Sequence, residues 1–234
     1  MLFYELFCGL TSSFIISPIM TCIDSAIIHS QLNKMPFKCS LIKTSTQYII
    51  QKKTFIRPFS IMFFVYSSTY TTANLTQYYC KQNEIDYKTP TLITTSLVNM
   101  LSIGYKDKEF SKIFKNVLHK MPLSSYMLFG LRDILTISSS FIFKQDFTHY
   151  LHNYIPYNSA DFISSLTLPI TCQIISTPLH ILAIDKYQHP TNTWRERIRN
   201  IKDSYKSVCS GRIIRVIPAF CIGGFINDML RERK

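Results

Sequence analysis

Phe162 to Ile184 reads FISSLTLPITCQIISTPLHILAI, a run of 23 residues without one Asp, Glu, Lys or Arg. Such a run is long enough to cross the roughly 30 Å hydrocarbon layer of a bilayer as a helix. Pro178 lies near its far end, where it removes a backbone hydrogen bond and kinks a helix, and a polar, strongly basic segment follows.

The rest of the chain repeats this shape. Leu2 to Ile28 is apolar apart from Glu5 and Asp24 and predicts a first span, with Asp24 near the far surface. Phe59 to Cys80 is uncharged and rich in Ser and Thr, which hydrogen-bond between helices or line water. Pro90 to Tyr105 is a shorter third span, Pro122 to Phe143 a fourth carrying Arg132 and Asp133, and Ile213 to Leu230 a sixth. Between spans three and four, Ile113, Phe114, Val117 and Leu118 share one helical face and Lys112, Lys115 and His119 the other. That pattern predicts a short amphipathic helix on the membrane surface over Lys106 to Lys120. Trp194, Ile198, Ile201, Tyr205 and Val208 repeat it after span five.

The charge balance agrees with six crossings. The three connections after spans one, three and five hold 18 of the 26 Lys and Arg and five acidic residues. The other two hold three basic and four acidic ones, so six spans place every basic loop on one face. A net charge of +12 suggests anionic partners. With 47% hydrophobic, 14% aromatic and only 17% charged residues, those are anionic lipid headgroups rather than nucleic acid. Seven cysteines without a CxxC pair predict buried thiols, neither a zinc site nor a disulfide framework. The N-terminal MLFYELFCGL lacks Arg and Lys, unlike a transit peptide or a signal n-region. His29 and His180 have no partner at a complementary depth that would make a metal or haem site, and Ser, His and Asp occur in no hydrolase frame. Gly223 and Gly224 lie inside a span and read as close helix packing. No enzyme is expected.

Taking Pro178 as an anchor, Leu101 and Cys22 stand at equivalent places, 77 and 79 residues apart. Two positions on lie Asp24, Ile103 and His180; five on, Ile27, Lys106 and Ala183; nine on, Gln31, Phe110 and Tyr187. At the ends of the even spans stand Asn74 with Gln77, Asp146 with His149, and Asp228 with Arg231. This register resembles the mitochondrial carrier family, in a worn form that keeps one of three kinking prolines. The resemblance implies an all-α membrane fold of six transmembrane helices in three pseudo-repeats with short amphipathic surface helices. One carrier-like domain would cover 1–234, with repeats near 1–84, 85–158 and 159–234.

The resemblance also implies two gates. The matrix-side gate would use Asp24, Lys106, Gln31, Pro178 and His180, with Asp24 paired to Lys106. The opposite gate would use Asp146, Arg231, Asp228, Asn74 and Gln77, with Asp146 paired to Arg231, Asn74 to His149 and Asp228 to Gln77. One ion pair in three survives on each side, and alternating access needs both rings. The first expectation is therefore a non-transporting accessory subunit of a respiratory complex in the mitochondrial inner membrane. It would be multi-pass with its basic loops in the matrix, have other membrane subunits as partners, and bind no cofactor beyond cardiolipin or another anionic lipid. The alternative is a solute carrier for an amino acid or carboxylate, a small anionic or zwitterionic metabolite. Asp133 and Arg215 lie at similar depths in the bilayer with Arg132 beside them, and intramembrane charge marks a functional site by default. A membrane adaptor is a weaker third reading.

Overall fold

Long uncharged runs and few glycines leave this chain little choice but helix. The computed structural model describes residues 2–115, 120–218, 222–223 and 225–232, with side chains at all of these except 137–142, 145, 158, 225, 228 and 232. Among them every regular element is helical: α1 (Leu2–Asn33), α2 (Phe37–Ile50), α3 (Lys52–Gln82), α4 (Lys88–Lys115), α5 (Leu123–His152), α6 (Tyr157–Gln188), α7 (Trp194–Ile217) and α8 (Phe225–Glu232).

The breaks between helices have local causes. Pro36, Pro122 and Pro156 are the N-caps of α2, α5 and α6, extended at ψ of 139°, 148° and 143°, and each prolyl ring also disfavours helix in the residue before it, so no helix runs through these points. α7 starts with a capping box, in which the Glu196 amide donates to Thr193 Oγ1 and the Thr193 amide to Glu196 Oε2 at 2.7 Å. α1 ends where Lys34 turns to a φ of 51°, a left-handed conformation that reverses the chain toward α2.

α1, α3, α4, α5, α6 and α7 pack in that order into a closed ring, α7 returning to α1. α2 rests against α1, α3 and α7, and α8 against α1. The seams are close. A Cβ on Gly211 of α7 would come within 2.6 Å of Ile27 in α1 and 2.7 Å of Phe37 in α2. Gly9 of α1 lies against the Thr71 backbone of α3, where a Cβ would stand 3.0 Å from the amide nitrogen.

The distribution of side chains is inverted relative to a protein bathed in water. Phe3, Phe7, Phe14, Leu101, Leu123 and Phe162 face outward, while Asp24, Lys106, Asp107, Arg132 and Arg212 are buried. The hydroxyls inside α1 are satisfied without leaving the helix. Ser12, Ser13, Ser17 and Thr21 each donate to the carbonyl four residues back, at 2.5 to 2.8 Å. An apolar exterior around a polar interior suits a bilayer, where the outward face meets hydrocarbon and inward polar groups pair with one another. Among the described residues two helices pass the test of length and apolarity for crossing a membrane, over Leu2–Asn33 and Ser159–Gln188. The second contains Phe162 to Ile184.

Three sequence expectations change. The third span is not short, because α4 runs 28 residues and carries Lys106 to Glu109 inside it. No separate surface helix begins at Lys106: residues 106–115 continue α4, with Ile113 and Phe114 against the core, and residues 116–119 lie outside the described residues. The amphipathic segment from Trp194 and the start of the sixth span are one helix, α7, which ends at Ile217 before Pro218.

Candidate functional site

The buried charges fall into two layers. The larger lies where α1, α4, α5, α6 and α7 converge. Asp107 sits at its centre, wholly buried, with Lys106 Nζ 2.9 Å from Oδ1 and Arg132 Nη1 2.8 Å from Oδ2. Lys106 also reaches Asp24 Oδ2 at 3.2 Å, and Arg215 of α7 meets Asp24 Oδ1 at 3.2 Å. Arg132 turns its Nε and Nη2 to its neighbour Asp133, at 2.8 and 3.0 Å. Its Nη1 also lies 2.9 Å from His180 Nδ1, which must then accept and carry no proton. The guanidinium stacks 4.9 Å from the Phe129 ring centroid.

Arg212 enters from α7, one turn before Arg215. It is 93% buried, and its Nη2 donates to Gln173 Oε1 at 2.6 Å and Ser176 Oγ at 3.1 Å, both on α6. The layer thus gathers three carboxylates, on Asp24, Asp107 and Asp133, against four cations, on Lys106, Arg132, Arg212 and Arg215. Asp133 and Arg215 are its most exposed acid and base, with side chains 8% and 23% accessible.

The second layer closes the other end. Asn74 of α3 and Asn227 of α8 exchange reciprocal amide hydrogen bonds, both at 2.9 Å. Asn74 also donates to the Glu5 carbonyl at 3.1 Å. Arg231 Nε meets Glu5 Oε2 at 2.7 Å and its Nη1 meets Gln77 Oε1 at 2.6 Å. Glu5 and Asp24 are 19 residues apart on α1, so the layers stand roughly 28 Å apart at 1.5 Å per residue.

Most of the sequence-predicted residues fall in or beside these layers; Asp24 has the expected partner, Lys106, and several others have partners that differ from those expected. Asp24 is buried rather than near a surface, and Lys106 lies against it. His180 meets Arg132 and stands 4.0 Å from Asp107, while Pro178 lies two residues before it inside α6. Gln31 donates to the Ile181 carbonyl at 3.3 Å. Arg132 and Asp133 pair together, but Arg215 goes to Asp24. At the opposite end Arg231 takes Glu5 and Gln77 instead of Asp146, which is exposed, as is His149, and Asn74 takes Asn227. The Asp228 side chain lies outside the described residues. The expected partners came from an imposed repeat register. The observed ones follow from which helices adjoin, since α1, α3 and α8 meet at this end.

Sequence reasoning missed Asp107, Glu5 and Arg212. Asp107 sits in YKDKE, which reads as a solvated charge run, and Arg212 read as the last residue of a loop. One signal was available for Asp107. Lys106 to Glu109 follow an apolar run with no Pro after Pro90, and the lone Gly104 is a tolerated helix residue rather than a stop, so the helix had no strong reason to end.

A cavity of about 380 Å³ opens at the end of the bundle beyond the charged layer, between the last turns of α1 and α6 and the start of α7. Its lining includes Gln31, Ile181, Asp185, His189, Arg199 and Asn200. Asp185 is tied to Arg197 at 2.7 Å and accepts from Asn200 at 3.0 Å. Burial, and then the Lys115 ammonium, hold the His189 imidazole below its ordinary pKa. Ile181 is both a lining residue and the neighbour of His180, so the cavity floor abuts the charged layer.

Residues 8–234 match the model of a family described as probable citrulline exporter, and the chain belongs to that family. No curated protein matches it. The match corrects the assignment to mitochondrial carriers, whose repeat signature no single segment of this chain completes. The inner mitochondrial location, the bound cardiolipin and the respiratory-complex partnership rested on that resemblance and lose their support with it. An apolar-faced helical bundle in an exporter family is a membrane protein.

Proposed function

From membership of the probable citrulline exporter family, we propose that this protein is a membrane transporter that carries citrulline through the centre of its helical ring. The observation behind this reading is the buried charged layer of Asp24, Lys106, Asp107, Arg132, Asp133 and Arg215. Charge in the interior of a membrane protein is expensive and marks solute pathways. Citrulline is a zwitterion with an uncharged ureido end. It needs an anion for its ammonium, a cation for its carboxylate, and neutral hydrogen-bonding groups for the rest.

The ring interior offers all three. Asp133 and Arg215, the most accessible acid and base of the layer, make first contact with the solute. The Ser68–Ser102 pair at 3.0 Å and the bond from Thr69 to Asn99 at 3.4 Å place neutral polar groups between α3 and α4. On this reading α1, α3, α4, α5, α6 and α7 with α8 make six crossings, and the Lys- and Arg-rich segments at 34–57, 108–120 and 186–206 then share one side of the membrane, against anionic headgroups. The 380 Å³ cavity lies on that side and falls within the roughly 300–1,000 Å³ range of small-molecule pockets, so it serves as a vestibule.

The test is efflux from liposomes. Vesicles loaded with labelled citrulline and containing the purified protein release label faster than protein-free vesicles, and external unlabelled citrulline accelerates the release. Release at the protein-free rate would overturn the proposal.

A further inference from the structure

We propose that Arg212 is the residue that binds the substrate's carboxylate, an inference that rests on the transporter reading above. Arg212 is the one cation of the charged layer without a carboxylate among the described residues. Lys106 has Asp24 and Asp107, Arg132 has Asp107 and Asp133, and Arg215 has Asp24. Among the described residues Arg212 has only the neutral Gln173 and Ser176 on its Nη2, and its buried Nε has no hydrogen-bond partner there.

That state is costly. A buried guanidinium needs both a counter-ion and partners for its five N–H groups, and a buried donor left unmade forfeits its full desolvation. Arg132 and Arg215 lie within electrostatic reach and add repulsion, which the weaker attraction of Asp107 and Asp133, neither of them in contact, opposes in part. The surplus of one cation over the three carboxylates is therefore concentrated at Arg212. A guanidinium presents paired donors in a rigid fork that fits the two oxygens of a carboxylate. Gln173 and Ser176, one turn apart on α6, hold one end of that fork and leave the buried Nε edge without an acceptor. A solute carboxylate docking there would supply the missing charge and the missing acceptor together. Gln173 and Ser176 precede the α6 proline at 178, and His180 of the same helix is already bonded to Arg132, so occupation of Arg212 would be felt on both sides of the layer.

The experiment is equilibrium binding of citrulline and of its α-carboxamide to the detergent-purified protein, by calorimetry, for wild type, Arg212→Gln and Arg212→Lys. The wild type binds citrulline at least about 30-fold more tightly than the carboxamide, the scale of leaving a buried charge unpaired. Arg212→Gln weakens citrulline by a similar factor and leaves the carboxamide unchanged, so the preference collapses. Arg212→Lys restores part of it. Equal weakening of both ligands would assign Arg212 a structural role and overturn the proposal, as would unchanged citrulline affinity. Should Arg212→Gln fail to fold, wild type and Arg212→Lys decide: equal wild-type affinity for the two ligands overturns the proposal, as does an undiminished preference in Arg212→Lys. Wild type that ignores citrulline but prefers another amino acid to its amide, with the same loss in Arg212→Gln, overturns the citrulline reading and supports the carboxylate site. Binding of no amino acid overturns both.

Discussion

The two buried polar layers are built from different chemistry. The layer at Asn74 and Asn227 is mostly neutral, with amide donors and acceptors exchanged in pairs and one ion pair, Glu5–Arg231, beside them. The layer around Asp107 is a network of charges on four helices, with neutral groups from a fifth, and it does not balance. A closed set of mutual bonds is what a seam between helices needs. Leftover charge serves no seam, because neutral side chains of similar volume would pack there at less cost. The comparison therefore separates a structural clasp from a site that awaits a partner.

The largest effect should come from the centre of the charged layer. Asp107→Ala leaves Lys106 with Asp24 alone and Arg132 with Asp133 alone and adds a further uncompensated positive charge to the layer, and breaking a buried pair costs about 3–5 kcal/mol. A marginally stable bundle would lose its folded state, read as a collapsed melting temperature in detergent. A melting point close to wild type would break the comparison, since the layer would then be held by something other than its charges.

The amide clasp should respond differently to single and double changes. Asn74→Leu leaves the Asn227 amide buried and unpaired, at a cost of about 1–3 kcal/mol. Replacing both by Leu removes the orphan and should recover most of that loss. A double variant as unstable as the sum of the singles would show that the amides do more than satisfy each other. Glu5→Gln is milder, about 1–2 kcal/mol, because Arg231 keeps Gln77 and both groups are partly accessible. Its melting temperature should fall less than that of Asn74→Leu.

The smallest effect lies outside both layers. Tyr48 of α2 donates to Ser25 Oγ at 2.6 Å, and burial pushes its phenol up to about 12, against the opposing pull of that bond. Its neutral form is therefore favoured in the folded state. The stabilisation is complete below the ordinary phenol value near 10 and is lost as pH rises from there through about 12. Tyr48→Phe should cost about 1 kcal/mol at neutral pH and flatten the fall in melting temperature above pH 10. An unchanged alkaline slope would assign that fall to other groups.

How much of this was legible beforehand differs between fold and site. The long uncharged runs of α1, α3 and α6 announce helices, because a helix satisfies every backbone group within the segment in an apolar setting. The helices that carry charge inward were misjudged. Lys106 to Glu109 look like the start of a wet loop, and only packing shows that Asp107 faces Lys106 and Arg132 rather than water. Arg132, Asp133, Arg215 and Asp24 were recognisable as charges inside apolar surroundings, and Asp24 with Lys106 was expected, yet the partners of Asp107, Arg215 and Arg231 were not. Pairing depends on which helices adjoin, and a repeat register cannot supply that when the chain belongs to another family. Arg212 shows the same limit. Its residue type is visible in the sequence, but the absence of a counter-ion is a property of three dimensions.

The measurement that most directly tests the division between clasp and site is the binding of labelled citrulline to wild type, to Asp133→Asn and to the Asn74→Leu/Asn227→Leu double variant. The account predicts that wild type binds, that Asp133→Asn loses at least about 10-fold in affinity, and that the double variant stays within about 3-fold of wild type, a spread worth less than 1 kcal/mol. Citrulline binding that survives Asp133→Asn but disappears with the amide pair, or is absent from the wild type, would contradict it.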